Sequence, residues 1–490
     1  MTNTKQPFPP DPVAPTTTSG KRRFEAVRER LRALLGCAEV DRDPHLKAIC
    51  AVLLFYFHMT FAFWWTRYVP LSTRGDDVFD YLPSGLFQNL RWLVFMDGFQ
   101  TESYLYALGM LALLGMISLF WFRSSLLALC LLAFLFANKL FFYLCDLRLF
   151  ANYHHFHLLF TLTILVSTEK MRSFRAVLAL SYLMSAIVKM TPSWLFGEYF
   201  NSVPEKLPLF SRESWVVTSA SVGLIALELF GPLCWFTRIN WLRGFSFIAF
   251  VLFHVYSGLI VGYWYTSLML PLVVVAFIGF NEPLQAGFRF SRRHAPTLAL
   301  FAIALFGGVY HLLIPGDARL TAEGKYFGLF MFDANRAVRF EADIHKGTNF
   351  WTIQVSRSWP TPGNPQGLDA GTRIHCNYYQ NGWLSNSFAV TQPIRDGNEV
   401  IFNPQYFTSA SIRTIGDPYL YYFYARELVR RHHPDRVAIR LDERLDGHPE
   451  VVRLLDISDF AELNPTYSPF RHNDWITLPG PDSPPQYRWP

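Results

Sequence analysis

Motifs that mark the common classes of soluble enzyme are missing from this chain of 490 residues. It has no P-loop, no glycine-rich dinucleotide fingerprint, no GxSxG and no zinc-binding HExxH. Its six cysteines, at positions 37, 50, 130, 145, 234 and 376, form no CxxC pair and no metal-ligand spacing. No basic cluster is interleaved with aromatic residues on a polar segment, so we expect no nucleic-acid partner. The fold class has to be inferred from the hydrophobic pattern instead.

Charged residues are also scarce, at 17% of the chain, whereas 51% of the residues are hydrophobic. Since about 20 helical residues cross a bilayer core, the long apolar runs read as membrane helices. They lie at 48–66, 103–122, 124–144, 153–167, 174–190, 216–236, 241–262, 264–280 and 296–314. The fourth and fifth runs are short and interrupted by polar residues, as in tilted or partly buried helices. The pattern predicts an α-helical polytopic membrane protein with about nine transmembrane helices.

The segments on either side of these runs are polar. Residues 1–20 are rich in Pro and Thr and are predicted to be disordered. Residues 21–35 have the pattern of a basic amphipathic helix, lying either on the cytoplasmic membrane surface or in solvent. From residue 315 onward the chain is polar and rich in turn signals.

Within that C-terminal region, apolar and polar residues alternate at 337–344 and 349–356, which predicts β-strands. Residues 418–432 have the pattern of an amphipathic helix with an aromatic face. Three regions are therefore predicted. They are a cytoplasmic tail (1–47), a transmembrane domain (48–314) and a β-rich extramembrane domain (315–490).

The distribution of Lys and Arg predicts the orientation. With the N-terminus inside, the inner loops carry Arg123, Lys170, Arg172, Arg175, Arg238, Arg243, Arg289, Arg292 and Arg293. The outer loops then carry Asp76, Asp77, Asp80, Asp97, Glu102, Glu198, Glu205 and Glu213. Nine spans would place the C-terminal domain outside the cytoplasm.

A single lysine, Lys189, ends the fifth run, in the stretch SYLMSAIVKMTPSWLFG at 181–197. A bare ammonium at the end of a hydrophobic span is costly unless it reaches the headgroups or has a function. In one interpretation the side chain extends to the membrane surface. In the other it is partly desolvated and serves as a base. Position alone leaves both open.

Further ionisable residues are predicted at a similar depth in the outer leaflet. They are His154, His155 and His157 in the fourth run and His254 in the seventh, with Glu228 deeper in the sixth. Such convergence indicates a functional cavity. The alternative for each histidine is an ordinary hydrogen-bonded core residue. Because no carboxylate follows the histidine trio at helical spacing, no metal site is predicted.

The stretch around Lys189 resembles the vitamin K-dependent γ-glutamyl carboxylase family, whose membrane part is called the HTTM domain. Lys189, Trp194 and Gly197 reproduce its motif of a helix that ends in lysine, followed by Trp five positions later and then Gly. The similarity extends from about residue 48 to 285, and more weakly over 323–332 and 417–431.

Two histidine segments are also similar to this family. NYHHFHLL (152–159) resembles the fourth span, which makes His154 or its close competitor His155 the counterpart of the family's functional histidine. FHVYSG (253–258) places His254 in a segment that resembles a later span.

The resemblance implies an enzyme that uses reduced vitamin K (the hydroquinone), O₂ and CO₂ without a metal. Lys189 would be the base, with His154 and His254 as further catalytic residues. The quinone pocket is predicted to be lined by His155, His157, Trp194, Tyr182 and Glu228. The implied partners are membrane lipids and a peptide or protein that carries the glutamyl substrate. The alternative is a non-enzymatic membrane module of the same type that binds a quinone or a peptide, as an export or immunity partner.

Overall fold

The computed structural model describes most of the predicted helices and strands. The described residues are 18–65, 102–145, 151–202, 213–260, 263–278, 294–325, 328–329, 336–357, 372–397, 399–404, 407, 415–446 and 451–478. The disorder predicted for residues 1–20 lies outside these ranges except at residues 18–20, where the prediction is wrong because these residues form the first turn of a helix. Most of the acidic residues predicted for the outer loops, at positions 76–97 and 205, also lie outside them.

The chain begins with two helices that precede the membrane core and with the first helix of that core. They are α1 (Thr18–Leu34), α2 (Cys37–Arg42) and α3 (Pro44–Met59), the last continued by a π-helical turn at Thr60–Trp64. The helix predicted at 21–35 is thus confirmed as a helix. The start of α3 is fixed by Asp43, whose carboxylate accepts the backbone N–H groups of the first turn.

Each of the other hydrophobic runs also contains a helix. The elements that follow α3 are α4 (Glu102–Phe120), α5 (Ser125–Cys145), α6 (Asn152–Val166), α7 (Lys170–Val188), the short α8 (Pro192–Leu195) and α9 (Glu198–Ser202), α10 (Ser214–Cys234), α11 (Asn240–Ile260), α12 (Tyr263–Phe277) and α13 (Ala295–Val309). Seven of the described helices are long and apolar enough to cross a membrane, which is consistent with a multi-pass membrane protein. They are α3 with its π-helical turn, α4, α5, α7, α10, α11 and α13 with the following 3₁₀ turn.

Seven helices rather than the predicted nine qualify as spans because two of the helices are short. Helices α6 and α12 have 15 residues each. At 1.5 Å per residue each is about 22 Å long, shorter than a hydrocarbon core of about 30 Å. The fourth run was predicted to form a tilted or partly buried helix. Twelve residues of its helix, α6, are buried. The count of nine spans therefore stays a prediction.

Helix α7, which carries Lys189 at its end, lies inside the bundle. It packs against α6, α10 and α13. The contact with α13 is close because Gly308 faces the side chain of Met184, where a Cβ would come within 2.7 Å of the Met184 Cβ. Small residues at such crossings let membrane helices approach one another. Helix α7 is therefore held by neighbours on several sides.

The C-terminal region forms a six-stranded antiparallel sheet with the order β4-β3-β2-β1-β7-β8. The strands are β1 (Arg336–Lys346), β2 (Asn349–Arg357), β3 (Arg373–Gln380), β4 (Trp383–Ala389), β7 (Arg436–Leu445) and β8 (Val452–Ile457); a separate hairpin consists of β5 (Ile394–Asp396) and β6 (Glu399–Phe402). The two strands predicted from alternation, at 337–344 and 349–356, are confirmed as β1 and β2.

The described helices of this region are α14 (Ala318–Thr321), α15 (Pro418–His432) and α16 (Phe460–Leu463). The helix predicted at 418–432 is confirmed as α15. Its aromatic face covers the sheet, and the Tyr421 ring stacks on Phe340 of β1 at 4.2 Å between ring centroids. Asp417 begins this helix by accepting the backbone N–H of Tyr419.

Candidate functional site

Lys189 occupies the C-cap of α7, where the helix ends and the chain turns. Its backbone N–H still bonds the carbonyls of Ser185 and Ala186, at 3.3 and 3.1 Å. Pro192 then begins α8, because its fixed φ suits the first position of a helix. The residue is only 3% exposed. The side chain therefore does not extend to the surface, as a headgroup anchor would.

The amine of Lys189 is paired with a carboxylate. Its Nζ lies 2.8 Å from Oε1 and 2.6 Å from Oε2 of Glu228, a fully buried residue of α10. The same Nζ lies 5.5 Å from the ring centroid of Trp194 in α8. Two opposite charges can be buried together only when they are paired in this way. The sequence predicted both residues but placed Glu228 deeper and did not pair them.

A second polar contact lies close to this ion pair. The hydroxyl of Tyr182, on α7, is hydrogen-bonded to Nε2 of His254 on α11. Lys189 is near enough to His254 to interact with it electrostatically, and Glu228 does so with Tyr182 and with Tyr265 of α12. We call these six residues, Lys189, Glu228, Trp194, Tyr182, His254 and Tyr265, the Lys189 cluster. Tyr265 was not predicted from the sequence.

Three polar atoms of the Lys189 cluster have no hydrogen-bond partner among the residues that the structure describes. They are Trp194 Nε1, His254 Nδ1 and Tyr265 Oη, all buried. Buried polar atoms in proteins are nearly always hydrogen-bonded, to protein groups, water or ligand. These three atoms therefore have hydrogen-bonding capacity left for water or a bound molecule.

A different group surrounds His154 and His157. The Nζ of Lys139, a fully buried residue of α5, lies 2.7 Å from His157 Nδ1 and 3.3 Å from Thr60 Oγ1. The indole N–H of Trp65 donates to His154 Nε2 at 3.4 Å. We call Lys139, Thr60, Trp65, His154 and His157 the Lys139 cluster.

The residues predicted to form one site are thus divided between two clusters. His254, Tyr182, Trp194 and Glu228 lie with Lys189, whereas His154 and His157 lie with Lys139. From the Lys189 cluster, the Tyr265 ring lies 5.5 Å from His254 and 6.2 Å from Phe156 of α6, the helix that carries His154 and His157. His155 is buried, and its Nε2 has no described partner.

Lys139 was missed in the sequence although its position gives a clear signal. It lies inside a 21-residue helix that has no other Lys and no Arg, His, Asp or Glu. An ionisable residue within a membrane span is a candidate functional residue by default. Lys139 lies within its span, whereas Lys189, which was predicted, lies at the end of one.

The comparisons with known proteins do not identify a family for this chain. Comparisons with family models, with curated proteins and with solved structures find no match to this chain. The function is therefore inferred from the side chains. In the described part of the chain, no three His, Cys, Asp or Glu side chains are grouped as a metal ion would require.

A buried charged junction connects the Lys189 segment to the C-terminal domain. Ser193, next to Trp194, hydrogen-bonds Asp446 at the end of β7 and the guanidinium of Arg319 in α14. Arg319 also donates to the carboxylate of Asp317, with Nη2 at 2.7 Å. The segment that follows Lys189 is thus held by residues from outside the membrane domain.

The same junction contains Glu443 on β7, fully buried and 3.2 Å from the guanidinium of Arg336 on β1. Burial raises the pKa of Glu443 to about 8; Arg336 opposes this rise, and the nearby Asp317 and Asp446 reinforce it. The carboxyl group therefore keeps a proton at neutral pH that it would release in the unfolded chain.

This raised pKa predicts that stability falls as the pH rises. Between the ordinary pKa of 4.5 and about 8, the folded state holds a proton that the unfolded state has lost. The free energy of unfolding therefore decreases across that window and not beyond it. The variant Glu443→Gln imitates the protonated form and should remove this decrease. Thermal unfolding midpoints of both proteins from pH 5 to pH 9 test it, and parallel curves would contradict it.

Proposed function

We propose that this chain is a membrane-embedded enzyme of the vitamin K-dependent γ-glutamyl carboxylase type, which couples epoxidation of a hydroquinone to carboxylation of a glutamyl side chain. The observation that carries the proposal is the position of Lys189. Its amine is withdrawn into the bundle and held beside Glu228, whereas a lysine that merely anchors a helix would reach the headgroups.

The proposed base is Lys189, and Glu228 makes that role feasible. A protonated amine cannot accept a proton, so Lys189 must first release one. The Glu228 carboxylate, at 2.6 Å, is its acceptor. Transfer of the proton leaves a neutral amine beside a neutral carboxylic acid, a form that a desolvated site tolerates better than separate charges. Lys189 Nζ can then take a proton from a substrate hydroxyl.

The surroundings of Lys189 fit a hydroquinone. Trp194, Tyr182 and Tyr265 supply aromatic surfaces, and the unpartnered Trp194 Nε1, His254 Nδ1 and Tyr265 Oη can hydrogen-bond ring oxygens. The hydroquinone, when bound, supplies the electrons for the reaction with O₂ that drives carboxylation by CO₂. His254 is oriented by its hydrogen bond to Tyr182. His154 would act from the adjoining Lys139 cluster, and no step requires a metal.

The proposal also includes the orientation of the chain and a peptide partner. The N-terminus is cytoplasmic and the C-terminal domain extracytoplasmic, as the Lys and Arg distribution favours.

The edge strand β4 is exposed along most of its length. It could hold an extended Glu-containing peptide by strand addition, with Trp383 and Leu384 as apolar contacts.

The test is turnover by purified protein in lipid nanodiscs, supplied with vitamin K hydroquinone, labelled bicarbonate and a Glu-containing peptide. Epoxide formation and incorporation of label are measured separately. We expect Lys189→Arg and Lys189→Ala to lose at least about 100-fold in both, because arginine stays protonated and alanine has no amine. Lys346→Arg, on β1 of the sheet, is the matched control. Turnover that survives both substitutions at Lys189 would refute the catalytic role.

A second candidate function is supported by the ion pair of Lys189 and Glu228, in which each charge already has its partner. Because Glu228 already neutralises Lys189, the pair could serve only to hold α7 to α10 in a module that binds a quinone or a peptide. A wild-type protein that binds the quinone, seen as quenching of tryptophan fluorescence, but neither epoxidises it nor incorporates label would favour this function.

A further inference from the structure

Lys139 is a buried amine that the proposed reaction does not use. It is completely shielded from solvent within α5. Across the described residues, its hydrogen-bond partners are Thr60 and His157, and no ion pair joins it to a carboxylate. It differs in this respect from Lys189, which has Glu228.

The hydrogen bonds around Lys139 define which atoms donate. Thr60 donates its hydroxyl proton to the Tyr56 carbonyl at 2.8 Å, so its oxygen accepts from Lys139. His157 Nε2 lies 3.0 Å from the Leu53 carbonyl, which can only accept, so the ring proton is on Nε2 and Nδ1 accepts from Lys139. Lys139 thus donates two hydrogen bonds.

Two donated bonds match a neutral amine. An ammonium has three N–H groups, whereas an amine has two and a free lone pair. Among the described residues, the rings of Tyr56, Phe57 and Trp65 also lie near Nζ, with centroids at 5.1, 5.5 and 5.8 Å. The attraction of an ammonium to such rings is smaller than the free-energy cost of desolvating an unpaired ammonium in a membrane interior. The site therefore favours an uncharged amine, which is nucleophilic.

His154 provides a second and independent observation. Its Nε2 accepts from Trp65, so the proton of the neutral ring is on Nδ1. That Nδ1–H is buried and has no described acceptor. His154 is close enough to Lys139 to interact with it electrostatically. His154 is three positions from His157 on the same helix, so this unused donor lies on the helix face that contacts Lys139.

The electrophile has to reach a fully buried amine inside an apolar bundle. Charged and large molecules are excluded from such a position, whereas CO₂ is small, apolar and soluble in membranes. We propose that Lys139 binds CO₂ covalently as a carbamate.

The reaction is balanced by groups that are present. The Lys139 lone pair forms a C–N bond to the carbon of CO₂, and one C=O π pair moves onto oxygen. The proton released from Nζ passes to His157 Nδ1, 2.7 Å away. The products are a carbamate anion and an imidazolium cation, which neutralise each other. His154 Nδ1–H then donates to a carbamate oxygen. No oxidant or reductant is needed, and the inference does not rest on the function proposed above.

The test uses the full-length protein in nanodiscs equilibrated with ¹³C-labelled CO₂ and bicarbonate. A carbamate resonance is expected in the ¹³C NMR spectrum. Alkylation with diazomethane, a small neutral reagent that can enter an apolar bundle, followed by peptide mass spectrometry should locate a methyl carbamate at Lys139 in the unmodified sequence. This second measurement does not depend on whether any variant folds.

The variants then assign the signal. Lys139→Met should abolish the resonance and Lys346→Met, at the more exposed ion pair of β1, should leave it unchanged. His157→Phe should reduce it several-fold, because the proton acceptor is lost. Absence of a carbamate at Lys139 in the wild-type protein would overturn the proposal. So would a resonance that persists in Lys139→Met.

Discussion

The variant Lys189→Met, with Glu228 unchanged, is expected to lose about 3–5 kcal/mol of unfolding free energy. Removal of one partner leaves the other as an uncompensated charge in a buried site, which is the costly way to break an ion pair. Both residues are almost completely buried and their charged atoms are 2.6 Å apart. The complementary variant Glu228→Leu should show a loss of similar size.

The double variant Lys189→Met with Glu228→Leu is expected to regain much of the loss, since no unpaired charge remains. Unfolding of purified protein in detergent, followed by tryptophan fluorescence, gives the double-mutant cycle. The control is the more exposed pair Lys346–Asp396, whose charged atoms are 3.7 Å apart. Removing its lysine should change stability by less than about 1 kcal/mol. Strictly additive losses at Lys189 and Glu228 would show that the ion pair does not form.

The variant Arg319→Met is expected to weaken the junction between the membrane and C-terminal domains by about 3–5 kcal/mol. The guanidinium makes two hydrogen bonds from Nε and one from Nη2 to the Asp317 carboxylate and lies 3.9 Å from Asp446. Without it, the two buried carboxylates lose their shared cation. Because Ser193 also bonds Arg319, the segment that carries Trp194 should become less firmly held.

The measurements are the thermal unfolding midpoint and the rate of limited proteolysis near the junction. Arg453→Met is the matched control, because Arg453 also binds an aspartate, Asp442, but on the exposed face of the sheet. That change should alter stability by less than about 1 kcal/mol. Arg319→Lys keeps the charge but loses the planar fork, so a loss smaller than that of Arg319→Met is expected. Equal effects of Arg319→Met and Arg453→Met would contradict the role of the junction.

Local patterns in the sequence determined where the helices and strands lie. The apolar run before Lys189 predicts a helix that ends there, and α7 ends at Val188. The alternation at 337–344 and 349–356 predicts strands, and β1 and β2 form there. These predictions succeed because periodicity and helix termination depend on neighbouring residues in the chain. Run length was less informative, since α6 and α12 occupy predicted spans with only 15 residues each.

The tertiary structure alone decided which ionisable groups meet. Lys189 and Glu228 are 39 positions apart, and Ser193 and Asp446 are 253 apart. His154 and His157 face Lys139 and not Lys189, although the sequence predicted a single site. Which side chains meet depends on the rotation of each helix about its axis and on the neighbour it packs against. Hydrophobic pattern specifies neither of these in a helix such as α6, which is buried on nearly every side.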